Sequence, residues 1–277
     1  MSGNFATRLA ASAEARAAVA FVDQTSAIAA AEIRKLARDP VQLATRAVQP
    51  ALWLLVFGQV FARIKGIATG DMSYLEFMTP GVLAQSILFT AIFYGIAVIW
   101  ERDLGIVHKI LVSPANRTAL VLGKALAAGV RGLSQAVIIY ALALLLRVHL
   151  RLDVPSVAGV VCTVMLGSAT FSTLSLLAAC VVKTRERFMG IGQVITMPLF
   201  FASNAIYPLA LMPGWLRALA LVNPLTYLVD ALRSLMLAGG QSAFGLPLDF
   251  TLELAVNRLP KLTPNRRPRL TPWNGGF

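Results

Sequence analysis

The sequence predicts an all-α polytopic membrane protein, and three observations carry that expectation. Of its 277 residues, 57% are hydrophobic and only 14% charged, an imbalance typical of multi-span membrane chains rather than soluble domains. Residues 81–100 contain no charge, and residues 125–146 contain only Arg131. Twenty uncharged residues rise about 30 Å as a helix, the thickness of a bilayer's hydrocarbon core. Between the two runs lies a tract dense in charge, ERDLGIVHKILVSPANRTALVLGK at residues 101–124, which is thereby held at a membrane surface.

Taken in chain order, residues 1–47 form an N-terminal region containing an interfacial helix at 25–39. Ser26 is placed to cap it, Ile28, Ile33 and Leu36 supply an apolar side, and Arg34, Lys35 and Arg38 a basic one. Pro40 ends it. A transmembrane domain over 48–245 begins with a first span at 48–64, with Pro50 near its start and Arg63 near its end. Residues 66–79 read as a polar loop, and 81–100 as the second span. In the charged tract Arg102, Lys109, Arg117 and Lys124 stand against Glu101 and Asp103. Ile106, Ile110 and Leu111 are spaced for a short amphipathic helix, which Ser113 and Pro114 halt. Such an element suits docking on a soluble partner. The third span covers 125–146, a turn 147–153, the fourth span 154–182, a basic loop 183–187 and the fifth span 189–211, which Pro198 and Pro208 interrupt.

Residues 207–240 are apolar but broken by Pro213, Gly214 and Asn223-Pro224. Asn223 suits a helix cap and Pro224 the first helical position. The helix they start carries Tyr227, Asp230 and Arg233, the last two one turn apart and able to pair. Short broken helices at this depth suggest a re-entrant element. Beyond it, residues 244–256 contain Asp249 and Glu253 and are too short and polar for a comfortable span. Residues 258–277 hold four prolines and five basic residues without apolar periodicity. Residues 246–277 therefore read as a disordered or frame-shifted tail, with the sixth span absent or degraded.

Charge sets the orientation. Arg34, Lys35, Arg38, Arg46, Arg102, Lys109, Arg117, Lys124, Lys183, Arg185 and Arg187 fall on one side. The other side holds Arg63, Lys65, Arg147, Arg151, Arg217 and Arg233. The positive-inside rule puts the first set, and the N-terminus, in the cytoplasm. The same rule explains the net charge of +12, and no nucleic-acid-binding signature accompanies it. Cys162 and Cys180, eighteen residues apart on one helix, lie roughly 27 Å from each other, too far for a disulfide. No metal-ligand cluster is present, and His108 reads as a solvated loop residue. Arg131, about a turn and a half past Lys124, is expected to snorkel to the cytoplasmic surface. Ser168, Ser172 and Ser175 share one face of the fourth span, a pattern that serves close helix packing. Residues 1–39 lack the compact apolar centre of a cleavable signal peptide.

With the tract at 101–124, YPLALMPGWL at 207–216 and NPLTYLVDALR at 223–233, the chain resembles the type-2 ABC export permeases. These include the drug-export permeases related to the daunorubicin exporter and the nodulation-signal exporters of rhizobia. The resemblance covers about residues 25–240. It implies six spans, a coupling helix between the second and third, and a re-entrant pair before the sixth. It also implies pairing with a cytosolic ABC ATPase dimer and a second permease subunit, in a bacterial inner membrane. The coupling role falls on Glu101, Arg102, Gly105, Ile110, Leu111, Ser113, Pro114, Arg117 and Lys124. The outer gate falls on Asn223, Pro224, Tyr227, Asp230 and Arg233. Gly123-Lys124 is followed by Ala125 and lacks the upstream glycine of a phosphate loop, so ATP and Mg are expected on the partner and no catalytic residue here. Few polar residues in the spans suit drug-like, lipid-linked or glycolipid cargo. An ion-coupled secondary transporter is the alternative, although the spans lack the mid-membrane carboxylates of a proton route. A membrane enzyme would group ionisable residues at membrane depth, which this chain does not.

Overall fold

The computed structural model describes residues 19–27, 29–31, 33–34, 37–38, 40–62, 73–106, 112, 117–182 and 184–237. All of them belong to one unit, Met1–Gly245. Among the described residues every regular element is helical, apart from one isolated antiparallel bridge between Leu150 and Leu237. Among the described residues three helices are long and apolar enough to cross a membrane, those covering the expected second, third and fourth spans. The chain is a membrane protein.

The N-terminal helix is under way by residue 19, earlier than the expected start. Ser26 therefore does not cap it; its hydroxyl donates to the Asp23 carbonyl inside the helix, at 2.9 Å. Pro40 starts the next helix, α1 (Pro40–Leu52), eight residues ahead of the predicted first span. A π-helical turn, Trp53–Phe57, joins α1 to α2 (Gly58–Ala62). This turn brings Trp53 against Phe57 and Phe200, with ring centroids 4.6 and 5.6 Å away.

The central helix is α3 (Tyr74–Asp103). It starts inside the predicted 66–79 loop because Ser73 and Glu76 form a reciprocal capping box, at 3.2 and 2.8 Å. Phe77 to Leu88 are buried without a break, and the Thr79 and Ser86 hydroxyls within this run donate to the Leu75 and Val82 carbonyls one turn back, at 2.7 and 2.8 Å. Around it pack α2, α4 (Arg117–Leu145), α5 (Val154–Val181), α6 (Arg185–Phe201) and α8 (Pro224–Met236). Asp153 caps α5, accepting from the Ser156 hydroxyl at 2.8 Å and its amide at 3.2 Å, and these bonds lower its pKa.

Close helix contact falls where Ser168, Ser172 and Ser175 lie, all three buried. The Ser175 hydroxyl donates to the Ile92 carbonyl and accepts from the Gly95 amide on α3. A Cβ at Gly95 would collide with Ser175 and Phe188, so only glycine allows this approach.

Three boundaries differ from expectation for one reason. Glu101–Asp103 and residues 117–124 are helical, and so are Arg185–Arg187 of the predicted basic loop. Glu101, Arg102, Asp103, Lys124 and Arg185 find partners on other helices and need no loop. The predicted fifth span stops at Phe201 rather than 211. There Ser203 donates to the Phe200 carbonyl and accepts from the Ala205 amide, a local bonding pattern that competes with helix. A 3-10 turn (Leu209–Leu211), α7 (Gly214–Val222) and α8 follow. The tail at 246–277 lies outside the described residues.

Candidate functional site

The sites expected from the sequence fall at opposite ends of the bundle. At the hinge end α3 finishes, α4 begins, α5 finishes and α6 begins. Three consecutive residues closing α3 each hold a different neighbour. Glu101 accepts from the Lys124 ammonium of α4 at 2.7 Å, and the two side chains are only 13% and 6% exposed. Arg102 donates to the Ala179 and Val182 carbonyls at 3.3 and 3.5 Å, filling acceptors that the end of α5 leaves open. Asp103 accepts from the Arg185 guanidinium at 3.1 and 3.2 Å, while that group lies 4.0 Å over the Trp100 ring. Gly105 follows with φ of 72°, the left-handed geometry that ends a helix most cheaply as glycine.

Deeper along the same contact, the Lys124 ammonium and the Arg131 guanidinium lie over the Tyr94 ring, 5.5 and 4.4 Å from its centre. Arg131, half-buried, lays its charge on that aromatic face of α3. Arg117 opens α4. Ile110, Leu111, Ser113 and Pro114 lie outside the described residues, as do Lys109 and His108.

At the opposite end Asn223 caps α8 as its sequence predicts. Its side-chain oxygen accepts from the Leu225 amide at 2.9 Å, and its amide donates to the Leu199 carbonyl of α6 at 2.6 Å. Pro224 takes the first helical position. Tyr227 donates to the Leu221 carbonyl at 2.6 Å, folding α8 back on the end of α7. Asp230 and Arg233 are both buried. They interact through charge, as one-turn spacing predicts, but Arg233 donates to the carbonyls of Asn204 at 2.8 Å and Phe77 at 3.4 Å. Its guanidinium also sits 4.0 Å over the Phe77 ring. Buried this deeply, Arg233 is held by the protein interior rather than by a loop.

Sequence reasoning missed Tyr94, Trp100 and Asn204, since each acts on a partner distant in the chain. Cys162 and Cys180 are free and exposed on α5. Among the described residues no cluster of acidic, His or Cys side chains could hold a metal.

Residues 23–237 match the family model described as ABC-2 type transporter. The chain belongs to the ABC-2 type transporter family. It is 29% identical over 209 residues to the putative transport permease ycf38 of Cyanophora paradoxa, covering 73% of this chain and 70% of that one. It is 26% identical over 197 residues to the daunorubicin resistance ABC transporter permease protein DrrB1 of Streptomyces coeruleorubidus, covering 71% and 69%. A probable doxorubicin resistance permease, DrrC of Mycobacterium tuberculosis, is 26% identical over 224 residues, 80% of each chain. These ABC-2 relatives are transport permeases, and their family favours an ABC permease over the ion-coupled alternative.

Proposed function

We propose that this chain is the membrane-spanning permease subunit of an ATP-driven exporter, paired with a separate cytosolic ATPase dimer and a second permease subunit. The family match across residues 23–237 carries this reading. The relatives concerned with daunorubicin and doxorubicin resistance support a hydrophobic, drug-like or lipid-linked cargo. In this proposal the N-terminus is cytoplasmic and the first, fifth and re-entrant helices complete the membrane domain of a bacterial inner-membrane protein. ATP and Mg act on the partner. ATP-driven closure of that partner presses on the tract at 101–124. The grip of Glu101, Arg102 and Asp103 on α4, α5 and α6 supports a concerted response, because a push there reaches four helices together. Such a push changes the populations of inward-open and outward-open states only through different contacts in each. The helix from Asn223 to Arg233 acts as the outer gate.

The test is co-reconstitution of this chain with its ATPase in proteoliposomes. ATP should drive movement of a hydrophobic dye away from the ATPase-bearing face. Movement driven by a proton or sodium gradient, with no response to ATP, would overturn the proposal.

A further inference from the structure

The charged contacts of the hinge continue into the bundle along α3 and α4. On α3 Tyr94 precedes Glu101 by seven residues, and on α4 Arg131 follows Lys124 by seven. Seven residues make two helical turns, a rise of roughly 10 Å. The contacts run in opposite order along the two helices. Glu101 holds Lys124 at 2.7 Å, and two turns deeper the Tyr94 ring takes the Arg131 guanidinium, 4.4 Å from its centre. Lys124 stands between these contacts, 5.5 Å from the centre of the same ring. One carboxylate, one ring face and two cations thus close a four-residue frame across the contact of α3 with α4.

Tyr94 and Lys124 are buried and Arg131 half-buried, so the attraction between ring and cation meets little competing water. The turn of α3 that carries Tyr94 is gripped from its other side as well. The Gly95 amide donates to the Ser175 hydroxyl of α5 at 2.9 Å, and Phe188 of α6 lies against Gly95. A swing of α4 that left α3 behind would have to pull Arg131 off the ring. A swing that carried both helices would pass through Gly95 to α5 and α6.

We propose that Tyr94 is a positioning residue for energy coupling. Its ring binds the two turns of α3 and α4 next to the hinge into one body. A push on the tract at 101–124 is then delivered about 10 Å deeper, where α5 and α6 take it up. This assignment rests on the export reading and names the residue through which the stroke of that reading travels. Without the ring face, α4 is left to pivot about the Glu101–Lys124 contact alone.

The test weakens the ring face while nearly keeping its size. Tyr94→Phe is the reference, and mono-, di- and trifluorinated phenylalanines at position 94 remove the negative ring face in steps. The first readout uses the full chain in lipid nanodiscs without ATPase, with Cys162 and Cys180 replaced by serine. Spin labels at Leu104→Cys and Val137→Cys, both exposed positions, straddle the frame, and the labelled chain is diluted with unlabelled copies. The distance distribution should be narrow for Tyr94→Phe and broaden stepwise with fluorination. The second readout is dye moved per ATP hydrolysed in proteoliposomes with the ATPase. That ratio should fall in the same order, about fivefold by the trifluorinated ring, the scale of one cation–π contact. A width that stays constant along the series overturns the proposal, and so does a constant ratio in a complex that moves dye. A width that follows the series while no member moves dye with ATP would sink the export reading and leave the frame standing.

Discussion

The two ends of this bundle handle charge in opposite ways. At the hinge end, charges meet other charges across helices: Glu101 with Lys124, and Asp103 with Arg185. At the other end Arg233 is buried and donates to the carbonyls of Asn204 and Phe77. The difference lies in how easily each arrangement is exchanged. The Asp103–Arg185 side chains are 41% and 38% exposed, so water replaces that pair at little cost. Arg233 has no such substitute, because leaving its carbonyls strands a guanidinium in the protein interior. The comparison makes the exposed Asp103–Arg185 contact suited to remodelling and the buried Arg233 contacts suited to stay made, so a gating motion carries α8 together with the Asn204 and Phe77 carbonyls that Arg233 holds.

The largest expected effect therefore belongs to Arg233. Arg233→Met should destabilise the fold by about 3–5 kcal/mol, since it leaves two buried carbonyls without their donor and removes the positive charge facing Asp230. Adding Asp230→Asn should recover part of that loss. Thermal unfolding in detergent reads both, and a single variant as stable as wild type would break the contrast between the ends.

Next comes the buried pair at the hinge. Lys124→Met should cost nearly as much while Glu101 stays charged, and Glu101→Gln in the same chain should restore much of it. If the double variant is no more stable than Lys124→Met alone, the pair is not the source of the cost.

Asn223→Ala should cost about 1 kcal/mol through loss of the cap, seen as earlier amide exchange at the start of α8. Arg185→Ala should be the mildest, at most about 1 kcal/mol, and its effect should shrink at high salt. A large, salt-independent loss there would show that the hinge end resists remodelling as strongly as the other.

Much of this was legible in the sequence where the physics is local. The cap at Asn223-Pro224 needs only residues 223–225, and the three long apolar helices announce themselves by length without charge. The hinge boundaries were drawn too wide because Arg102, Lys124 and Arg185 look like loop residues until their partners are known. Those partners lie at positions 179, 101 and 103. The aromatic partner of Arg131 was hidden for the same reason, Tyr94 lying on another helix. The early end of α6 depends on hydroxyl bonding at Ser203 within an otherwise apolar run, which hydropathy does not register.

The central claim is that a separate ATPase acts on this chain through the tract at 101–124. Photo-crosslinking from a benzoylphenylalanine at position 111, in the full complex in native membranes, tests it most directly. A cross-link to the ATPase is expected, with a yield that changes on ATP addition, and none from the same probe at position 70. ATPase cross-links from position 70 with none from 111 would contradict it.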